Sequence, residues 1–193
     1  IYNALAMCAV CRFAGLTVEQ CAAAAASFKG AGRRFEVYGE CNGAVVVDDY
    51  AHHPTEIAAT ISAAAELGYN NVHVLFQPHR YSRVGLFTEV LHDEFGSAFD
   101  KADTVTFMDV YPAGEAPVPG VSGKTFLNVV LDHSGHPNAE YVARRVDVPE
   151  VMAAKAKPGD LVITMGAGDV TAMGPQIIDA LRRRSSGDAP AAE

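Results

Sequence analysis

The sequence contains few cysteines, and their scarcity limits the metal-bound or disulfide-linked folds that it can adopt. Four cysteines, Cys8, Cys11, Cys21 and Cys41, lie in the first quarter of the chain. Cys8 and Cys11 form a Cys-x-x-Cys pair inside an apolar, helix-favouring stretch, and no second pair of ligands follows. We therefore expect small buried thiols, neither a zinc site nor a disulfide framework, and a cytoplasmic protein.

The sequence also lacks an excess of basic residues and any apolar run long enough to cross a membrane. It has 15 Lys and Arg against 23 Asp and Glu, which gives a net charge of −8. This balance argues against nucleic acid or an anionic membrane as a partner. No signal peptide or transmembrane segment is expected. The 193 residues suffice for one domain, or for one domain and a fragment of another.

Segments typical of strands alternate with segments typical of helices along most of the chain. The Asn42-Gly43 pair predicts a hairpin between the first two strands. The alternation predicts a Rossmann-like α/β fold: a mainly parallel sheet of about six strands, with an antiparallel edge and helices on both faces. The predicted strands are 35–39, 44–48, 71–76, 104–110, 140–143 and 160–165. The predicted helices are 3–13, 18–28, 55–67, 85–99, 124–131, 149–156 and 171–184.

Composition divides the chain into three predicted parts. Residues 1–30 form two Ala-rich helices with little apolar bulk, typical of the end of a preceding domain, and Thr17 is the expected cap of the second. Residues 31–184 form the α/β domain, and the Ser/Pro/Ala-rich residues 185–193 are expected to be disordered. The first residue is not Met and is already in helical register, so we expect a fragment of a longer protein.

The densest polar chemistry follows the apolar segment that ends at Val47. Asp48, Asp49, Tyr50, His52 and His53 come within six positions, and a proline that suits a first helical turn follows. Open α/β sheets bind ligands at the carboxyl ends of their strands. These residues therefore predict a functional site at a strand-to-helix turn. Adjacent histidines do not point at one ion and no third ligand stands at a typical spacing, so no metal site is predicted.

A second polar loop, Gln77-Pro78-His79-Arg80-Tyr81-Ser82-Arg83, follows the predicted strand 71–76. Arg80 and Arg83 are three residues apart, so within one helical turn they point the same way. Two guanidinium groups suit a carboxylate, or the phosphate charge that builds up during transfer. Because parallel strands end at one edge, we expect this loop to lie beside residues 49–53.

Two further stretches are candidates for anion contact. Gly166 and Gly168 follow an apolar strand and open a helix, where backbone N–H groups can approach phosphate or substrate. Arg33-Arg34 precedes the first predicted strand, where an arginine can fork onto phosphate or ribose oxygens. Gly123-Lys124-Thr125 does not complete a phosphate-binding loop, because position 118 is Val and no apolar strand leads into it.

Taken together, five ordered motifs resemble the Mur ligases of bacterial cell-wall synthesis. They are Arg34-Phe35-Glu36, residues 48–56, residues 77–83, residues 109–115 and residues 166–169. Asn3-Ala4-Leu5-Ala6 is similar to the end of a segment in the family's central ATPase domain. The resemblance covers roughly residues 1–181. It implies a carboxy-terminal domain preceded by the last helices of the central domain.

This resemblance implies an ATP-dependent ligase that joins L-alanine to UDP-N-acetylmuramate through an acyl phosphate, with Mg²⁺. By the resemblance, Asn3 contacts adenine, while Arg34 and Asp49 hold the nucleotide. Tyr50 and His52 face the reacting centre. Arg80 and Arg83 grip the amino acid and the developing phosphate charge, which makes them catalytic residues together with His52. The Mg²⁺ ligands, the Walker A loop and the uridine-binding domain would belong to the missing N-terminal and central domains. Without them the fragment is expected to be inactive.

Three alternatives remain open at this stage. One is another ligase of the family, such as the one that recycles murein tripeptide, although the His-Arg-Tyr-Ser-Arg run favours alanine addition. Another is a nucleotide- or anion-binding module without catalysis. The third is a metal-dependent hydrolase built on His52 and His53, which metal analysis of the purified chain would test.

Overall fold

A computed structural model of the chain describes residues 2–28, 31–134, 136 and 138–186. The chain divides into two compact units, Ile1–Gly32 and Arg33–Glu193. In the described part, no helix is both long and apolar enough to span a bilayer.

The first unit is a pair of helices, α1 (Tyr2–Phe13) and α2 (Val18–Ser27). Thr17 caps α2 as predicted: its side chain accepts a hydrogen bond from the Gln20 N–H (3.2 Å), and the Gln20 side chain accepts one from the Thr17 N–H (2.8 Å). The prediction of buried thiols is confirmed for Cys21 but is wrong for the other cysteines, which are partly exposed. Two Ala-rich helices have too little bulk to cover Cys8 and Cys11.

The second unit is built on a six-stranded sheet, as predicted. Its strands are β1 (Glu36–Cys41), β2 (Ala44–Asp49), β3 (Val72–Phe76), β4 (Thr104–Phe107), β5 (Ala139–Tyr141) and β6 (Leu161–Met165). They lie in the order β1-β2-β6-β3-β4-β5. β1 and β2 form the predicted antiparallel hairpin at one edge, and the other pairs are parallel.

Helices cover both faces of this sheet because each buried strand presents apolar side chains to both sides. On β3, Val74 and Phe76 belong to one core and Leu75 belongs to the other. The first core contains side chains of α3 (Pro54–Ala65), α4 (His92–Ser97) and α5 (Gly123–Ser134). The second contains side chains of α6 (Val148–Lys155) and α7 (Met173–Ser186). The predicted fold class is therefore confirmed.

The predicted helix 85–99 is wrong as a continuous α-helix. It consists of a π-helical turn, Leu86–Val90, followed by α4, and the Leu91 N–H donates to the Leu86 carbonyl (2.8 Å). Phe87 and Phe95 are eight residues apart, which in a regular α-helix puts them about 80° apart around the axis. A π-turn acts as one inserted residue and reduces this to about 20°. Both rings consequently stack in the core, with centroids 5.1 Å apart.

Smaller differences concern where elements end. The predicted strand 104–110 stops at Phe107, after which the Val110 and Gly123 N–H groups both donate to the Asp109 side chain. The last helix starts with a 3₁₀ turn, Asp169–Ala172, and α7 runs through Ser185 and Ser186. The remainder of the predicted disordered tail, 187–193, lies outside the described residues, as do Lys29 and Gly30 of the predicted domain boundary.

Candidate functional site

Three polar loops meet at the carboxyl edge of the sheet. Asp49 at the end of β2 and Phe76 at the end of β3 are both register partners of Met165 on β6. The 49–53 and 77–83 loops therefore share an edge as predicted, but their strands are not neighbours because β6 lies between them. The loops still meet: the rings of His52 and His79 lie 6.4 Å apart.

Arg33 binds the first and third of these loops together, a role that the sequence did not predict. Its Nε donates to Asp48 Oδ2 (2.8 Å), and its other nitrogens donate to the carbonyls of Gly166 (2.6 Å) and Gly168 (3.2 Å). Asp48 is fully buried and also accepts from Thr164 Oγ1 (2.6 Å). This buried ion pair holds the end of β2 against the 166–169 loop.

Arg34, the arginine assigned to the nucleotide by resemblance, is exposed. Its guanidinium carbon lies 5.7 Å from the centre of the Tyr50 ring, and that of Arg33 lies 5.0 Å away. Tyr50 thus lies near two guanidinium groups, at a distance where cation–π attraction acts. The role predicted for Arg34 stays a prediction.

Asp49 shapes the loop that follows β2. Its Oδ1 accepts a hydrogen bond from the Ala51 N–H (2.8 Å) and its Oδ2 accepts one from the Phe35 N–H (2.9 Å). The residue is only 5% exposed. Both oxygens therefore hold the chain itself, and the ribose contact expected from the resemblance would use a remaining lone pair.

His52 is oriented by the two groups around its ring. Its Nδ1 lies 3.1 Å from the Tyr50 carbonyl oxygen and 3.5 Å from Glu56 Oε2. Both are acceptors, so Nδ1 carries the proton in the neutral ring and Nε2 holds a free lone pair. Burial raises the pKa of Glu56, but hydrogen bonds from the His52 and His53 N–H groups and nearby positive charge outweigh it, and the pKa lies below its ordinary value. Glu56 is thus a carboxylate beside His52 at neutral pH.

The arginines of the 77–83 loop do not lie in one helical turn. Tyr81–Arg83 form a 3₁₀ turn, whereas Arg80 precedes it with φ 73° and ψ 134°. Positive φ is uncommon for a residue with a Cβ, and such outliers cluster at functional sites. Burial, followed by the charges of Arg83 and Arg80, lowers the pKa of His79. Both guanidinium groups therefore act on the His79 ring, which stacks on Tyr111 with centroids 5.7 Å apart.

Gly166 and Gly168 have a packing reason to be glycine. A Cβ at Gly166 would lie 2.7 Å from the Gln77 carbonyl oxygen, and one at Gly168 would lie 2.4 Å from Gln77 Oε1. Gln77 is buried and joins the two loops, since its Nε2 donates to Asp169 Oδ1 (2.9 Å) and its Oε1 accepts from the Val170 N–H (2.9 Å). The predicted substrate contact of these glycines stays a prediction.

A pocket of about 270 Å³ opens beside these loops, lined in part by Gln77, Asp109, Tyr111, Arg145 and Asp169. Arg145 donates to the Asp169 side chain (2.8 Å) and carbonyl (3.2 Å), so the pocket's cation and one of its carboxylates already neutralise each other. No local sequence pattern marks Arg145, because it lies in a 3₁₀ turn after an edge strand.

Two further predictions concern Asn3 and metal binding. Asn3 lies in α1, in the other unit, and its side chain is outside the described part of the structure. Among the described residues, no three His, Cys, Asp or Glu side chains are grouped so that they could hold a metal ion.

Comparison with known proteins identifies the family. The sequence profile described as "Mur ligase, glutamate ligase domain" matches residues 33–168. The chain belongs to the Mur ligase family. It is 46% identical to the UDP-N-acetylmuramate–L-alanine ligase of Pelotomaculum thermopropionicum over 180 residues, which are 93% of this chain and 38% of that one. The corresponding ligase of Paenarthrobacter aurescens is 47% identical over 180 residues, 93% of this chain and 37% of that protein.

Solved Mur ligase structures share the fold. The UDP-N-acetylmuramate–alanine ligase MurC of Thermotoga maritima superimposes with a TM-score of 0.70 at 26% identity, covering 95% of this chain and 37% of that one. A murein peptide ligase of Psychrobacter arcticus gives a TM-score of 0.71 at 22% identity, covering 99% and 37%, which concerns the fold alone. This chain thus spans well under half of the length of these Mur ligases.

Several residues of this edge were not among the predicted site residues. Arg33 is next to a predicted residue, and Gln77 and His79 lie in a predicted loop. The motifs therefore included these three residues, but no role was assigned to them. Tyr111 and Glu115 belong to a motif that carried the resemblance but received no role.

Proposed function

We propose that this chain is the carboxy-terminal part of an ATP-dependent ligase that joins L-alanine to UDP-N-acetylmuramate in peptidoglycan synthesis, in the cytoplasm. The observation that carries the proposal is its 46% identity, across 93% of its length, to a ligase of that name. The site supports it, because the 49–53 and 77–83 loops that carry the resemblance meet at one sheet edge.

The proposed reaction has two steps. The carboxylate of UDP-N-acetylmuramate attacks the γ-phosphorus of ATP, which breaks the bond to the β–γ bridging oxygen and releases ADP. The amine nitrogen of L-alanine then attacks the acyl carbon, and phosphate leaves with its electron pair. Both steps gain mainly from positioning two bound reactants and from stabilising negative charge.

Arg80 and Arg83 would supply that stabilisation. Their charges already reach His79, so a carboxylate or phosphate near that ring would meet both guanidinium groups. Burial, together with the same charges, lowers the pKa of His79, which keeps that ring neutral at neutral pH and leaves the two arginines as the cations of the loop.

His52 would receive the proton that the alanine ammonium group must lose before it attacks. Its Nδ1 is committed to the Tyr50 carbonyl, so Nε2 is the nitrogen that can accept a proton. The Glu56 carboxylate at 3.5 Å would stabilise the imidazolium that forms. Tyr50, beside both Arg33 and Arg34, would pack against the substrates.

Within the second unit, nucleotide binding would use Arg34 and Asp49. The contact of Asn3 with adenine, which the resemblance implies, stays a prediction. A related solved structure, MurF ligase of Thermotoga maritima, was determined in complex with ADP. Mg²⁺ is expected with ATP, but the described residues provide no group of three ligands for it. The ion would therefore be held by phosphates and by residues outside this part of the protein. The helices of residues 1–30 would be the end of the central domain.

The test is a turnover assay on the longer protein in which this chain occurs. ADP release should require both UDP-N-acetylmuramate and L-alanine and should yield UDP-N-acetylmuramoyl-L-alanine, detected by mass spectrometry. Murein tripeptide in place of L-alanine should give no product, and use of the tripeptide in preference to L-alanine would refute the proposal. The 193-residue chain alone should show no turnover.

A further inference from the structure

The loop after β4 contains a tight turn that aims one carboxylate at the arginine-bearing loop. The Glu115 N–H donates to the Pro112 carbonyl (3.0 Å), and the central residues Ala113 and Gly114 have φ of 51° and 87°. Positive φ at both central positions is typical of a type I′ turn. The turn places the Glu115 side chain next to the 3₁₀ turn that contains Arg83.

The Glu115 carboxylate binds Ser82, which lies between the two arginines. Its Oε1 accepts a hydrogen bond from Ser82 Oγ (2.6 Å) and its Oε2 accepts one from the Ser82 N–H (2.9 Å). These hydrogen bonds, the side-chain one first, lower the pKa of Glu115. Glu115 is therefore charged at neutral pH, and hydrogen bonds to a charged acceptor are the stronger kind.

The same loop fixes the backbone on the other side of Arg80. The Arg80 N–H donates to the Tyr111 carbonyl (2.8 Å), and the Tyr111 N–H donates to the Pro78 carbonyl (2.8 Å). Arg80 is thus held in its positive-φ conformation by its own bond to Tyr111 and by two anchored neighbours, Pro78 before it and Ser82 after it. An unusual conformation persists only where the surroundings over-determine it.

Arg80 and Arg83 carry like charges three residues apart in one short loop, so they repel each other. Among the described residues, neither the Arg80 nor the Arg83 side chain makes a hydrogen bond or an ion pair, so their positions depend on the backbone that carries them. The Glu115 carboxylate is hydrogen-bonded to Ser82, which lies between the two arginines in the chain, so its negative charge is placed next to the positively charged segment. Glu115 therefore has two effects: it offsets the repulsion between Arg80 and Arg83, and it fixes the backbone at Ser82.

We propose that Glu115 is a positioning residue for the ligase reaction, holding the segment from Arg80 to Arg83 through Ser82 in the conformation that receives the amino acid. This role rests on the proposed function. Glu115 itself need not touch a substrate, and its effect should appear in amino-acid binding before it appears elsewhere.

The experiment compares Glu115→Ala, Glu115→Gln and Ser82→Ala in the full-length protein. Glu115→Ala should raise KM for L-alanine about tenfold, as expected for losing hydrogen bonds to a charged group. KM for ATP should change by less than about twofold, and Tm by less than about 3 °C, because the turn lies at the surface. Glu115→Gln should recover most of the loss, because its amide oxygen still accepts one bond from Ser82.

The Ser82 variant tests the route of the effect. Ser82→Ala removes only the hydroxyl bond, so its increase in KM should be smaller than that of Glu115→Ala, and the double variant should be no worse than Glu115→Ala. Glu66→Ala is the matched control: Glu66 is exposed at the end of α3 and should leave every parameter unchanged.

Two results would overturn the role. One is an unchanged KM for L-alanine in Glu115→Ala. The other is an equal rise in KM for L-alanine and for ATP together with a lower Tm, which would mean general destabilisation. If Glu115→Ala does not fold, the same criteria apply to Glu115→Gln and Ser82→Ala. A wild-type protein without alanine-dependent ADP release would instead refute the proposed function, so the two failures are distinct.

Discussion

Replacing Arg33 by alanine should destabilise the fold far more than the same replacement at its neighbour Arg34. Arg33 donates three hydrogen bonds, one of them to the fully buried carboxylate of Asp48. Arg34 is exposed. The two residues are adjacent and chemically identical, so the comparison isolates the contacts of one side chain.

The magnitude follows from the burial of the pair. The Asp48 side chain is 0% exposed and the Arg33 side chain is 23% exposed. Removing one partner of a buried ion pair typically costs about 3–5 kcal/mol, because the other charge is left buried. Water can enter where Arg33 is partly exposed, and Thr164 still donates to Asp48. We therefore expect about 3 kcal/mol for Arg33→Ala, at the low end of that range, and less than about 0.5 kcal/mol for Arg34→Ala.

Urea unfolding followed by circular dichroism gives the free energy of unfolding of both variants, and thermal unfolding gives their Tm. A loss of about 3 kcal/mol should lower Tm by roughly 6–12 °C in a protein of this size. The double variant Arg33→Ala/Asp48→Ala should be less destabilised than the sum of the single variants, because it leaves no orphan charge. If Arg33→Ala and Arg34→Ala unfold within about 0.5 kcal/mol of each other, the buried pair does not hold this edge together.

Three further changes test other parts of the structure. Asp160→Asn should cost about 2–3 kcal/mol in urea unfolding, because Asp160 is 1% exposed and accepts three hydrogen bonds, and an amide would turn a donor toward a donor. Gly123→Ala should cost about 3 kcal/mol by the same assay, since its Cβ would lie 1.9 Å from the Met108 carbonyl oxygen. Gly85→Ala, with open space around it, should cost nothing. The pKa of His79 in the folded protein lies below its ordinary value. As the pH drops below about 6.5, His79 therefore takes up a proton in the unfolded chain before it does so in the folded one, and the free energy of unfolding decreases. His79→Phe should remove that part of the fall, measured as urea midpoints between about pH 7.5 and 5.5.

Local sequence was sufficient to predict the elements and the fold class. The hairpin followed from Asn42-Gly43, and the parallel sheet followed from alternating strands and helices. The predicted lengths of helices and strands were wrong where side-chain packing determines where an element ends. Nothing in residues 85–99 marks the π-turn, which forms because Phe87 and Phe95 must face the same core.

Strand order could not be read from the sequence in the same way. Consecutive strands are neighbours about two-thirds of the time, but β2 and β3 are not. The last strand lies between them, and the glycine loop that follows it lies in the middle of the site. Such an order depends on how helices from distant parts of the chain pack on the two faces, and no local pattern encodes it.

The sequence also does not show that Arg33 is paired with a buried carboxylate whereas Arg34 is exposed. This difference indicates what the edge can bind. The acidic side chains here are engaged by donors of the chain: Asp48 by Arg33, Asp49 by backbone N–H groups, and Glu115 by Ser82. Arg34 and Arg80, in contrast, are exposed. Because a ligand gains most from groups that the fold has not already satisfied, the free charge at this edge is positive, although the chain carries −8 overall. An edge of this kind selects anionic reactants, and a carboxylate and a phosphate are what the proposed reaction brings together.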